Sequence, residues 1–300
     1  MKSLSILLRE VNKSYPHLRE QLLTRNDSVG VLARVLVHDI KIALAKGEFT
    51  LVYQPQFDST NRMIGVEALL RWSHKQYGSI SPLLIIAIAE ETGLIRDIGN
   101  WVISAACRQL RDWKRSGIDR IRMSVNVSAV QLQDKDFTND LLATIKINGL
   151  RPSDLEIEIT ENIALNDDVR TRHNLDKMRE TGIRIAIDDF GMGHTSLRYI
   201  KDYRVDTLKI DQILSKDVVD DKNCQEIINS IVSLCSSLEI DTIVEYVESQ
   251  EQRDMLQELG CRQYQGYYYS PPLTAEQLMN YVNNSSEEQV EAVAAAINNS

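Results

Sequence analysis

Between residues 48 and 270 short apolar runs recur, and most of them end on a residue that an apolar run does not normally tolerate. Ile64-Gly65-Val66 leads into Glu67, and Met123-Ser124-Val125 into Asn126. Leu155–Thr160 carries Glu158 and is followed at once by Glu161. Ile183–Ile187 ends on Asp188 and Asp189, and Lys209 sits between Leu208 and Ile210, just before Asp211. Thr242-Ile243-Val244 leads into Glu245, and Gln265 precedes Gly266. A charge taken out of water is costly unless it is paired, hydrogen-bonded or bound to a cation. Taken singly, each residue has an ordinary explanation. Asp188-Asp189 reads as a strand-end turn, Lys209 as a floor ion pair, Asn126 as a helix cap and Glu245 as a rim charge. In order and on successive strands, they point to one shared site.

The runs have strand length, and helical sequence separates them. Eight strands are expected, at Phe49–Phe57, Arg62–Trp72, Ile121–Val127, Leu155–Thr160, Ile183–Asp188, Thr207–Asp211, Thr242–Val247 and Arg262–Tyr268. Helices are expected around Pro82–Leu94 and Ile98–Arg115, with stop signals at Gly117, Gly149, Gly182 and Gly260. One alternation of this length predicts an α/β fold of the TIM-like (β/α)8 barrel type. The first two strands are joined only by Asp58-Ser59-Thr60-Asn61, too short for a parallel crossover, so one strand should run antiparallel. The barrel domain is expected over residues 46–300, including a C-terminal helical region from Leu278 to Ile297. Residues 1–45 read as a helical or linker segment, with Val31, Leu32, Val35 and Leu36 at helical spacing. That segment either leads in from an upstream domain or packs on the barrel.

Composition narrows the function. The formal net charge is −9, from 43 acidic and 34 basic residues, and a diffuse acidic balance argues against non-specific nucleic-acid binding. Cys107, Cys224, Cys235 and Cys261 form no C-x-x-C pair, so neither a zinc cluster nor a disulfide framework is signalled. The apolar run Leu4–Leu8 is too short for a signal peptide, and no membrane segment is expected. A cytoplasmic location follows as the expectation. The strand-end set offers carboxylate and amide oxygens without His or Cys, which suits a hard cation such as Mg2+ or Mn2+.

With these residues in view, the chain resembles the EAL family of cyclic-di-GMP phosphodiesterases from about residue 48 to 273. The resemblance is carried by Tyr53-Gln54-Pro55, Glu67-Ala68-Leu69-Leu70-Arg71-Trp72, Asn126-Val127-Ser128, Glu158-Ile159-Thr160-Glu161, Asp188-Asp189-Phe190-Gly191, Leu208-Lys209-Ile210-Asp211, Glu245 with Glu248, and Gln265-Gly266-Tyr267. It implies hydrolysis of cyclic-di-GMP to the linear dinucleotide pGpG with two Mg2+ or Mn2+ ions, Ca2+ being inhibitory. Glu67, Asn126, Glu158 and Asp188 would hold one ion. Asp188 would bridge to a second, held with Asp189 and with Glu245 nearby. Lys209 would orient or deprotonate the attacking water, or offset charge in the transition state. Gln54 and Arg71 would hold the substrate. Gln265 stands with them, and with Asp211 would set water and metal geometry; Glu161 would brace the loop after Asp189. A homodimer and an upstream sensory or GGDEF domain also belong to what the resemblance implies.

The chain departs from the family pattern where Thr, Tyr and Ser are usual and Met192, His194 and Thr195 stand, and where Gly is usual after the active-site Glu and Tyr246 stands. These departures keep open a second reading, a catalytically weak or inactive receptor for cyclic-di-GMP. They also generate a test. If the loop over residues 190–196 limits turnover, the double variant Met192→Thr, His194→Tyr hydrolyses cyclic-di-GMP faster than the parent in a steady-state assay. An unchanged or lower rate would show the loop already adapted.

Overall fold

Alternation along each strand decides which side chains enter the barrel and which face the helices. The computed structural model describes residues 28–161, 163, 168–191 and 205–284. Its strands are β1 (Phe49–Asp58), β2 (Met63–His74), β3 (Gly78–Ile80), β4 (Arg122–Asn126), β5 (Leu155–Thr160), β6 (Arg184–Phe190), β7 (Thr207–Ile210), β8 (Asp241–Val244) and β9 (Gln263–Gln265). On β5 the apolar Leu155, Ile157 and Ile159 join the hydrophobic core, while Glu156 and Glu158 point the other way, into the barrel. On β7 Leu208 and Ile210 join that core, and Thr207 and Lys209 meet the two glutamates inside. The barrel is therefore largely polar within, Ala186 and Ile243 excepted, and apolar without, and the helices cover the apolar side.

Neighbouring strands follow the order β1-β9-β8-β7-β6-β5-β4-β2, and β1 pairs with β2 to close the ring. β1 is antiparallel to both its neighbours, as the short first connection requires, and the remaining ring neighbours are parallel. The expected (β/α)8 architecture is thus present, with eight strands in the ring. The expectation of eight strands in all needs one correction. β3 is a ninth, pairing Ile80 with Trp72 and Gly78 with His74 at the end of β2. Three residues after a turn at Gly78 carry too little alternation to be read from sequence.

The helices are α1 (Ser28–Lys46), α2 (Pro82–Thr92), α3 (Ile95–Arg115), α4 (Phe137–Ile147), α5 (Val169–Glu180), α6 (Lys222–Ser237) and α7 (Gln250–Glu258). α3 buries Ile95, Ile98, Val102, Ala106, Leu110 and Trp113, a stripe at helical spacing. Each large aliphatic buried this way contributes about 1.5–3 kcal/mol. Gly117, Gly149, Gly182 and Gly260 follow helices with φ between 68° and 96°, a left-handed region that glycine enters without a Cβ penalty. In α1, Leu36, Ile40 and Ala43 lie one helical face apart and are buried in the same core as the barrel. Of the expected C-terminal helical region, residues 278–284 lie within the described chain and are helical, with Leu278 fully buried, and the rest lies outside the described residues. Among the described residues no helix is long and apolar enough to cross a membrane.

At the barrel floor the polar interior closes around Glu156, which is fully buried. It accepts from Thr207 Oγ1 at 2.6 Å, Arg184 Nε at 3.0 Å and Ser124 Oγ at 3.2 Å. Arg184 reaches on to Asp241 at 2.7 Å. Burial pushes the Glu156 carboxyl up, but the Arg122 and Arg184 charges and the Thr207 hydroxyl more than offset it and leave it below the ordinary value of 4.5. A carboxyl lowered by folding stabilises the fold above its unfolded value and loses that contribution as pH falls through its folded value. Glu156→Gln should therefore lower stability at pH 7 by on the order of 3 kcal/mol, since it strands buried arginine charge. The gap between parent and variant in urea-unfolding free energy should narrow as pH falls below the ordinary carboxylate range. A gap independent of pH would contradict the ionised assignment.

Candidate metal centre and adjoining pocket

One layer above Glu156 the same alternation brings the predicted residues together. In register, Gln54 pairs with Glu67, Asn126 with Glu158, and Thr160 with Asp188. Lys209 extends from β7 into their midst with a side chain only 1% exposed. Its Nζ lies 3.1 Å from Glu67 Oε2, 2.9 Å from Glu158 Oε2, 3.1 Å from Asp188 Oδ1 and 2.9 Å from Glu245 Oε1. Glu245 follows the last residue of β8; its N–H donates to the Ile210 carbonyl at 3.0 Å, which continues the ladder beside β7.

One ammonium cannot balance four carboxylates. Burial alone would push Lys209 down, but Asp188, Glu158, Glu245 and Glu67 hold it well above the usual lysine range. Burial and the neighbouring Glu67 raise Glu158 well above the ordinary range, against the pull of Lys209. Burial also raises Glu245, to about 8, with Asp188 and Glu67 adding to it. For Glu67 burial is opposed by Lys209 and by donors on Gln265 and Asn126, and the carboxyl ends below its ordinary value. Asp189 is raised to about 6 by burial and by the charges of Asp188 and Asp211. The cluster carries more negative charge than its own cation neutralises, so without further cations some carboxyls retain protons.

The donor set fits divalent metal. Glu67, Glu158 and Asp188 each offer an oxygen, and the three lie within 4.8 Å of one another. Glu158 Oε1 is buried without a hydrogen-bond partner among the described residues, and so is Asp188 Oδ1, whose only contact with Lys209 is electrostatic. Buried acceptors without donors are expensive in a folded protein and mark a place for a cation. The ligands are all oxygens, the preference of Mg2+, Mn2+ and Ca2+.

Amides complete the frame. Asn126 Nδ2 donates to Glu67 Oε1 at 2.7 Å. Gln265 Nε2 donates to Glu67 Oε2 at 2.7 Å and to Gln54 Oε1 at 3.2 Å. Gln56 Nε2 in turn donates to Gln265 Oε1 at 3.0 Å and is completely buried. Gly65 makes room for Gln56, since a Cβ there would stand 2.7 Å from its Oε1. Gln56 was missed in the sequence, although it shares the face of Gln54 two residues earlier. Ser215 was missed as well; its hydroxyl donates to the Glu245 carbonyl at 2.7 Å.

β6 carries a bulge that sets Asp188 and Asp189 opposite Lys209 alone. Asp189 takes φ 56°, a left-handed value that Asp tolerates better than most residues. Asp211 caps the turn Gln212–Ser215 by accepting from the Ile213 N–H at 2.8 Å. Glu161 is buried, and neither of its oxygens has a partner among the described residues. Met192, His194 and Thr195 lie outside the described residues.

Beside the carboxylates opens a cavity of about 430 Å³, bordered by Gln54, Arg71, Asp211, Glu245, Tyr246 and Gln265 among others. Arg71 is partly buried and anchored by its own Nη1, which donates to the Leu70 carbonyl at 2.9 Å. At the rim Tyr246 takes φ 60°, where a bulky side chain costs about 1–2 kcal/mol relative to the ordinary backbone regions.

Residues 37–272 match the family described as EAL domain. A bifunctional diguanylate cyclase/cyclic di-GMP phosphodiesterase, MucR, from Pseudomonas aeruginosa is 38% identical over 245 residues, 81% of this chain and 36% of its own length. A cyclic di-GMP phosphodiesterase from the same organism is 35% identical over 235 residues, covering 78% of this chain and 40% of its own. A solved structure titled as the PaMucR phosphodiesterase in complex with c-di-GMP superposes with a TM-score of 0.77 at 38% identity, over 81% of this chain and 99% of that one. The chain spans about a third of the length of the first curated relatives it matches.

The charge excess yields a direct test. Mg2+ or Mn2+ should raise the melting temperature of chelator-treated protein, since an ion that binds only the folded state at 100 times its Kd adds about 2.7 kcal/mol. Glu158→Gln should abolish most of that rise. An equal rise in parent and variant would show that the ion binds elsewhere.

Proposed function

The chain belongs to the EAL domain family, and on that premise we propose that it is a phosphodiesterase hydrolysing cyclic-di-GMP to pGpG. The observation that carries the reading is the buried oxygen cluster of Glu67, Glu158 and Asp188, with more charge than Lys209 neutralises, joined through Glu245 to a cavity that Arg71 and Gln54 also border. Glu67, Asn126, Glu158, Asp188, Asp189 and Glu245 would hold two divalent ions, Mg2+ or Mn2+. Bound there, the ions supply an activated water and neutralise charge on the attacked phosphate.

The chain's own groups do the rest. Arg71, held by its bond to the Leu70 carbonyl, offers a fixed guanidinium to a phosphate. Gln54 and Gln265 form a hydrogen-bonded pair at the cavity edge, and Gln265 also fixes the Glu67 carboxylate. Without bound metal, Asp188, Glu158, Glu245 and Glu67 hold Lys209 well above the usual lysine range, and a cation there suits charge balance and hydrogen-bond donation. In the reaction a water oxygen bonds to phosphorus, the bond from phosphorus to a ribose 3′ oxygen breaks, and one of the water's protons ends on that oxygen to give a 3′ hydroxyl. The product keeps its phosphate on the 5′ side. Asp211 and Glu161 would position neighbouring groups without touching substrate. The reading extends to a cytoplasmic location, a homodimer and an upstream sensory or GGDEF domain in the full-length protein.

The test is product analysis with purified protein. Mg2+ or Mn2+ should support conversion of the cyclic to the linear dinucleotide; Ca2+ should support binding with little turnover, because it is larger and polarises water less. Lys209→Ala should lower kcat by about 100-fold or more while KM moves only a few-fold. Full hydrolysis in excess chelator would refute metal assistance. Binding without product under every ion would favour the receptor reading.

A further inference from the structure

We propose that Tyr246 is a substrate-positioning residue whose ring forms a stacking platform for a purine base at the cavity rim; this rests on the phosphodiesterase reading above. The N–H of Glu245 donates to the Ile210 carbonyl at 3.0 Å, and the Glu245 carbonyl accepts from Ser215 Oγ at 2.7 Å. On the other side, the Val247 N–H donates to the Gln265 carbonyl at 3.2 Å, and the Val247 carbonyl accepts from the Tyr268 N–H at 2.9 Å. Gly266 packs so tightly here that a Cβ would stand 2.2 Å from the Val247 carbonyl oxygen. Residue 246 is thus clamped from both sides and is driven to φ 60° whatever its side chain.

Glycine would adopt that angle freely, whereas a tyrosine there is strained. Strain kept at the edge of a site points to a use for the side chain. Tyr246 has no evident use in the core: it is 39% exposed and is absent from the hydrophobic cluster. Instead it borders the cavity, directly after the carboxylate of Glu245 and together with Arg71 and Tyr267. The chemistry on that wall is an aromatic face, a guanidinium and amides, which suits a ligand with both a phosphate and a flat heterocycle. Every nucleobase offers a π face to such a ring, and losing the ring weakens binding by about five-fold or more.

A platform that holds the base equally in ground and transition states changes KM and leaves kcat alone. The test compares Tyr246→Phe, Tyr246→Leu and Tyr246→Gly for cyclic-di-GMP hydrolysis with Mn2+, for equilibrium binding with Ca2+, and for melting temperature. Tyr246→Phe should match the parent within two-fold. Tyr246→Leu and Tyr246→Gly should raise KM and Kd by about five-fold or more, with kcat within two-fold. The glycine variant should melt no lower than the parent, so it remains a clean test if the leucine variant folds poorly. A normal parent rate with KM unmoved in the glycine variant, or with kcat raised, would overturn the platform alone. A parent that neither binds nor hydrolyses cyclic-di-GMP would overturn the phosphodiesterase reading and the platform with it.

Discussion

A single buried ammonium, that of Lys209, stands within 3.1 Å of four carboxylates drawn from β2, β5, β6 and the end of β8. Everything around it follows from that imbalance. A lysine this deep would ordinarily lose its charge, and a lone carboxylate beside it would be a simple ion pair. Four carboxylates hold the lysine well above its usual range and leave a surplus of negative charge inside a low-dielectric barrel. That surplus is tolerable only with protons or further cations, so the same geometry that binds the lysine also favours a bound cation.

The barrel makes such a cluster affordable because much of its interior is polar, with Ala186 and Ile243 among the apolar exceptions. The floor, built on Glu156, Arg184, Thr207 and Asp241, is balanced within itself by short hydrogen bonds. The mouth, one layer higher, is left short of donors at Glu158 Oε1 and Asp188 Oδ1. Below, both oxygens of Glu156 accept hydrogen bonds; above, carboxylate oxygens are left open. Between the mouth and solvent, hydrogen bonds from Glu245 to Ile210 and between Val247 and the Gln265–Tyr268 segment hold residue 246 at a left-handed angle.

Much of this was legible in the sequence because strands alternate. Once Glu67, Glu158, Lys209 and Glu245 are seen at the ends of apolar runs, a shared interior follows. The antiparallel β1 was readable from its four-residue connection. Other features depend on three-dimensional contacts that no local pattern encodes. β3 is too short to alternate. The strands expected at Thr242–Val247 and Arg262–Tyr268 end early, at Val244 and Gln265, because the chain turns sharply at Tyr246 and packs Val247 against Gly266. The bulge that sets both Asp188 and Asp189 opposite Lys209 is a property of the pairing between β6 and β7. Gln56 was overlooked although its period-two spacing from Gln54 placed it on the same face. The role of Asp211 is shared with a local duty, since one of its oxygens caps the following turn.

The most direct test of the central claim is a crystal structure of the protein grown with Mn2+ and measured near the manganese absorption edge. The charge imbalance predicts anomalous density bonded to Glu67, Glu158 and Asp188. A fully formed cluster of the same geometry that shows no anomalous density at saturating Mn2+ would contradict it.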